Sequence, residues 1–117
     1  MTQLKVLTYN IHKGKSPLGT RPSFAHLKSA LQRENADLIF LQEVQGRNDL
    51  EDALHNQPRR LADALGMYVC YGRNAIRRNT DHGNVLLSRY PIVCDDNEDI
   101  SDHRLEQRGV LHAQVQV

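Results

Sequence analysis

Residues 38–41, Leu-Ile-Phe-Leu, form an unbroken apolar run that stops at Gln42-Glu43. A strand with one wet face alternates apolar and polar residues. An unbroken run instead fits a strand covered on both faces. Upstream, LKVLTYN (4–10) reads as another nearly continuous apolar strand. Between the two lies SFAHLKSALQREN, where Phe24, Leu27, Ala30 and Leu31 share one helical face. Ser23 can cap that helix, and Pro22 discourages an earlier start. Strand, helix, strand predicts a layered α/β unit.

The rest of the chain extends the pattern. IHKGKSPLGTRP holds two Gly and two Pro and reads as a loop. QPRRLADALG reads as a second helix, with Pro58 in its first turn, Gly66 at its stop and a stripe of Leu61, Ala64 and Leu65. NDLEDALH before it can add a helical turn, which Pro58 separates from the helix proper. MYVCYG reads as a strand, GRNAIRRNTDHG as a polar loop, and GNVLLSRYPIV as a strand with a turn or edge at Tyr90-Pro91. CDDNEDISDH reads as acidic and irregular. At the end, Leu111, Ala113, Val115 and Val117 alternate with Val110, His112, Gln114 and Gln116, which predicts a strand with one mainly apolar face. That strand runs straight into the last residue, like a cut through a fold.

Charge excludes some partners by default. Fifteen Lys and Arg against fourteen Asp and Glu leave a formal charge of +1. This gives no general pull toward nucleic acid or an anionic membrane, although a local phosphate site remains open. Cys70 and Cys94 lie in or beside apolar runs and are too few and too distant for a disulfide framework or a zinc site. They predict small packed hydrophobes in a reducing, cytoplasmic setting. The start, MTQLKVLTYN, lacks the long apolar core of a signal peptide, and no run approaches membrane-spanning length.

Two residues stand out for chemistry. Glu43 follows the apolar run, and ligands of α/β sheets often bind at the carboxyl ends of strands. A carboxylate there suits Mg2+, which takes one or two carboxylates plus water and phosphate oxygens. The plain alternative is a solvated glutamate. Asn10 ends its own strand in the same way. Its amide can meet a phosphate oxygen or orient Glu43; the alternative is a turn asparagine. If the strands are parallel neighbours, both side chains reach one rim. His12 and Lys13 follow Asn10 and can line that rim, or sit in a solvated loop. Arg108, just before the last strand, offers a guanidinium fork for phosphate. Arg73, Arg77 and Arg78 can touch a polyanion but more simply form a solvated face. His82 beside Asp81 reads as loop, and His112 as a structural strand residue.

Four blocks, LKVLTYNIHKG, DLIFLQEV, GNVLLSRYPI and RLEQRGVL, in this order and spacing resemble the endonuclease/exonuclease/phosphatase family. Its members include deoxyribonuclease I-like nucleases, sphingomyelinases and inositol phosphatases. The resemblance implies half of a four-layer α/β/β/α sandwich and metal-dependent hydrolysis of phosphate esters, with Mg2+ or Mn2+. It implies that Asn10 is the active-site asparagine and Glu43 the metal ligand. Gly83, Asn84 and Ser88 match a block that looks structural, and Arg108 falls where some family nucleases hold phosphate.

The family's later Gly-Asp-x-Asn block is absent. Ser101-Asp102-His103 therefore stands too early to be the family's terminal Asp-His block and reads as a coincidence. Residues 1–117 are expected to be the amino-terminal portion of one domain, inactive alone, with an exposed sheet face that favours self-association. The alternative is a non-catalytic half-domain that binds a partner or a phosphorylated ligand. The substrate class stays open among nucleic acid, phospholipid and inositol phosphate.

Overall fold

A computed structural model describes residues 3–11, 24–50, 56–76, 78–99 and 109–117. The elements follow in the order β1 (Val6–Asn10), α1 (Phe24–Glu34), β2 (Leu38–Asn48), α2 (Gln57–Leu65), β3 (Tyr68–Ile76), β4 (Thr80–Ser88), β5 (Ile92–Asp99) and β6 (Gly109–Val115). The first four strands form one sheet in the order β1-β2-β4-β3, with β1 parallel to β2 and the other pairs antiparallel. Strands β5 and β6 make a separate antiparallel pair.

Burial separates the two faces of the main sheet. Ile39 and Leu41 of β2 align with Leu87 and Val85 of β4. All four are buried in one core with Leu31 of α1 and Leu61 and Ala62 of α2. Leu7, Val69 and Tyr71 pack against that core, as do Phe24 and Leu27 from the apolar stripe of α1. Both helices thus cover one face. The β5–β6 pair covers the other face at its β3–β4 end: a Cβ at Gly72 would collide with the Asn97 side chain, and Asn97 Nδ2 donates to the Arg73 carbonyl at 3.1 Å. Toward β1 this second face carries exposed apolar side chains, with Val6 56% and Phe40 38% accessible.

Local signals account for α2. Pro58 lies in its first turn, and Gly66 caps its end at φ 65, with Met67 N–H donating to the Ala62 carbonyl at 3.0 Å. The polar stretches behave differently from their composition. Residues 72–76 and 80–83, read as loop, are the outer parts of β3 and β4. Of the acidic segment 94–103, read as irregular, residues 94–99 belong to β5, and 100–103 lie outside the described residues. In each case cross-strand pairing supplies what local propensity does not. The alternation expected of the last strand is met only in part: Leu111 and Val115 are half-buried and His112 and Gln114 exposed, but Ala113 and Val117 are exposed as well.

The lower end of the sheet is tied by Arg89. Its guanidinium donates to the Asn35 carbonyl at 3.1 Å, Asn35 Oδ1 at 2.7 Å and the Ala36 carbonyl at 3.0 Å, and pairs with Asp37 at 3.3 Å. It thereby satisfies carbonyls just past the end of α1. Asp37 also accepts the Lys5 backbone N–H at 2.8 Å, which brings in the start of β1. Ser88 closes the turn after β4, donating to the Tyr90 carbonyl at 2.7 Å. Gly83 allows close approach of β3: an added Cβ would run into the Gly72 carbonyl oxygen and come within 2.9 Å of its carbon. Backbone cannot retreat as a flexible side chain can. Gly83→Ala should therefore destabilise the fold by about 1–3 kcal/mol or more, measured as a lower denaturant midpoint at unchanged slope.

A bulged strand rim as the candidate functional site

Leu41 and Val44 are both fully buried in the helix-side core. Residues three apart on a regular strand point to opposite faces. Both can enter one core only if the strand holds an extra residue between them. The register supplies it. Leu41 pairs with Val85 and Val44 with Gly83, so Gln42 and Glu43 together face the single residue Asn84. This is a β-bulge, a device that re-aims side chains beside functional sites. Glu43 carries its strain at φ 55, a left-handed backbone that costs a non-glycine residue about 1–2 kcal/mol. Contrary to the expectation of a strand-end residue, Glu43 lies inside β2, which continues to Asn48.

The bulge sits beside the end of β1. Asn10, the last residue of β1, aligns with Gln42, and Ile11 N–H donates to the Gln42 carbonyl at 3.0 Å. Gln42 Nε2 reaches back to Thr8 Oγ1 at 3.0 Å. Asn10, exposed, and Glu43, half-buried, therefore occupy neighbouring parallel strands at one rim. Asn84, opposite the bulge, donates through Nδ2 to the Gly109 carbonyl at 3.3 Å and ties the rim to the start of β6. His12, Arg108 and Ser101-Asp102-His103 lie outside the described residues.

Beyond the bulge, β2 is anchored at three consecutive residues. Gln45 N–H donates to Gln57 Oε1 at 2.9 Å. Asn56 N–H donates to the Gly46 carbonyl. Arg47 N–H donates to Asp81 Oδ1 at 3.0 Å. Asp81 is only 2% exposed. It also accepts the Tyr71 hydroxyl at 2.8 Å and pairs with Arg73 Nε at 3.2 Å. Burial and the Asp81 carboxylate hold the Tyr71 phenol well above its usual range, so it remains a donor. Asp81 is thus engaged by Tyr71, Arg47 and Arg73, a structural knot. His112 lies at the surface, 3.9 Å from Glu98. Cys70 is buried, and burial, then Asp95, raise its thiol pKa, partly offset by a hydrogen bond to the Leu86 backbone. It packs as the small hydrophobe its sequence setting suggests.

The donor set at the rim suits a hard cation bound mostly by water and substrate. Glu43 offers one carboxylate and Asn10 one carboxamide, within the habit of Mg2+. Among the described residues no three His, Cys, Asp or Glu side chains converge, so a cage of protein ligands does not form from them. No helix of the described residues is long and apolar enough to cross a membrane. Sequence reasoning missed Gln57, Asp81 and the bulge itself. Only the pair of buried apolar positions at 41 and 44 hints at the extra residue. At its left-handed backbone, Glu43→Gly should be more stable than Glu43→Ala by about 1 kcal/mol in chemical denaturation, the reverse of their order at an ordinary strand position.

Comparison with known proteins agrees with this architecture. The model of the endonuclease/exonuclease/phosphatase family matches residues 7–115. The uncharacterized protein YbhP of Escherichia coli K12 is 39% identical over 117 residues, a match covering 95% of this chain and 46% of YbhP. YbhP of Shigella flexneri matches to the same degree. The chain thus spans about half the length of these relatives. Among solved structures, an endonuclease/exonuclease/phosphatase from Beutenbergia cavernae superposes with a TM-score of 0.85 at 24% identity, covering 97% of this chain and 34% of that one. A family protein from Leptotrichia buccalis gives 0.74 at 18% identity, covering 98% and 49%. At these identities the structural likeness shows the fold, the α/β sandwich of which this chain forms part. The family match spans nearly the whole sequence, and the chain belongs to the endonuclease/exonuclease/phosphatase family.

Proposed function

We propose that the protein is a Mg2+- or Mn2+-dependent phosphoester hydrolase, with Glu43 as a metal ligand and Asn10 as the neighbouring group that meets phosphate or orients Glu43. The observation that carries this reading is the bulge. It accepts a left-handed backbone at a glutamate, directly beside the end of the strand that ends in Asn10. Strain of this kind persists where surrounding contacts enforce it, and it clusters at working sites. A bound divalent ion would stabilise charge on the phosphoryl oxygens. The Asn10 carboxamide would donate an N–H to a phosphate oxygen. His12 and Arg108 are proposed as further phosphate contacts.

Residues 1–117 are proposed to be the amino-terminal portion of one family domain, a reading supported by the 46% coverage of the relatives. The general base and the groups that hold the attacking water would come from the remainder, so this chain alone would bind metal without turnover. The exposed face around Val6 and Phe40 is the natural seat of that remainder. In its absence the same face would carry the self-association expected of the chain alone. Substrate is proposed only at the level of a phosphate ester, whether nucleic acid, phospholipid or inositol phosphate, and the setting as cytoplasmic.

The test uses Glu43→Ala in the full-length protein. Its Mn2+ affinity by calorimetry should fall about tenfold or more. Hydrolysis of bis(p-nitrophenyl) phosphate should fall about 10²-fold or more. Equal Mn2+ binding by wild type and variant would contradict the metal assignment.

A further inference from the structure

We propose that Gln57 is a positioning residue for Glu43: its buried carboxamide oxygen holds β2 in the register that turns the Glu43 carboxylate to the rim. The inference rests on the reading of Glu43 as a metal ligand and names the device that sets its geometry.

Gln57 is 0% exposed, a polar side chain sealed at the start of α2. Its Oε1 accepts the N–H of Gln45, two residues past Glu43. Buried backbone donors are nearly always paired, and β1 pairs no further along β2 than Gln42, so the Gln45 N–H takes its partner from α2. A second irregularity lies between Gln45 and Asn48. Only Val44 and Gln45 thus lie between the two breaks, with Glu43 inside the first and Gly46 inside the second. Gln57 takes the N–H of Gln45 and the adjacent Asn56 donates to the Gly46 carbonyl. Asn48 Nδ2 donates to Gln45 Oε1 at 3.2 Å, so the Gln45 side chain is fixed as well.

Packing then makes this anchor stiff. Pro58, Leu61 and Ala62 of α2 are buried beside it, and Leu61 and Ala62 share the core with Leu41 and Val44, the residues flanking the bulge. The helix cannot shift without disturbing both sides of Glu43. An apolar residue at position 57 would bury its surface equally well. It would leave the Gln45 N–H without this acceptor, and β2 would be free to relax toward a regular strand. A carboxamide oxygen here thus does something that packing alone does not.

Three variants of the full-length protein test this, each read two ways. The Cα and Hα chemical shifts of Glu43 report its left-handed backbone, and calorimetry reports Mn2+ affinity. Gln57→Met keeps length and burial but removes the acceptor. It should move the Glu43 shifts out of the left-handed range and weaken Mn2+ about tenfold, the scale of a supporting contact behind a metal ligand. Gln57→Glu keeps an acceptor oxygen at the same reach and should restore the shifts and binding. Leu31→Ala hollows the core from α1, away from the α2 anchor, and should lower thermal stability while leaving both readouts as in wild type. Should Gln57→Met not fold, Gln57→Asn, with its oxygen one methylene short, takes its place. The proposal is overturned if the acceptor-less variant keeps Glu43 left-handed, or if Leu31→Ala weakens Mn2+ as much as Gln57→Met does. If wild type and Glu43→Ala bind Mn2+ alike, the metal reading fails, and the Glu43 shifts alone then decide whether Gln57 holds the backbone.

Discussion

One extra residue in β2 organises the structure around it. Because Gln42 and Glu43 together face Asn84, Leu41 and Val44 can both enter the helix-side core. Remove the extra residue and every side chain beyond it changes face. Val44 would leave the core, and Gly46 would no longer fit where its missing Cβ allows Asp81 and Tyr71 to approach. Burial on either side thus favours the left-handed Glu43, and the Gln57 oxygen on the Gln45 N–H completes what holds it. The strain of about 1–2 kcal/mol at one residue is offset by burial of Val44, which contributes about 1.5–3 kcal/mol.

The two ends of the sheet have different tasks. At the lower end Arg89 gathers the end of α1, the start of β1 and the end of β4 through hydrogen bonds to Asn35, Ala36 and Asp37. At the upper end Gln57, Asn56 and Asp81 hold three successive residues of β2 from outside the ordinary ladder. Asp81 is sealed from water, and its charge is matched by Arg73 and by hydrogen bonds from Tyr71 and Arg47. A buried carboxylate is tolerable only with such partners. The upper end thus concentrates polar groups around the rim that carries Asn10 and Glu43. Sites built on rigid elements hold their geometry better than sites on loops.

What the sequence discloses follows from the range of each interaction. Helix ends are local, so Pro58 and Gly66 mark α2 correctly. The unbroken run Leu38–Leu41 discloses a strand, and β2 lies between β1 and β4, but cover on both faces is not met among the described residues, since Phe40 is 38% exposed. Residues 72–83 look like a loop because their polar side chains find partners only in the fold: Arg73 meets Asp81, and Asn74 meets Asn97. The strand at 92–99 exists because β6 pairs with it, a contact that local propensity does not contain. Asn10 is legible as a strand-end residue, but Glu43 lies inside β2 at a bulge the sequence does not mark, since a left-handed backbone is usually marked by Gly or Asn and here falls on Glu. Gln57 looks like an ordinary first-turn residue; only the packed structure reveals that its side chain is bonded to β2.

The central claim is that this bulge brings Glu43 to a cation site beside Asn10. Substoichiometric Mn2+ added to isotope-labelled protein tests it directly, because paramagnetic broadening of amide signals falls off steeply with distance. The account predicts that the amides of Asn10, Ile11, Glu43 and Val44 broaden first. Broadening centred instead on the exposed acids Asp95, Asp96 and Glu98 of β5, or on no particular amides, would contradict it.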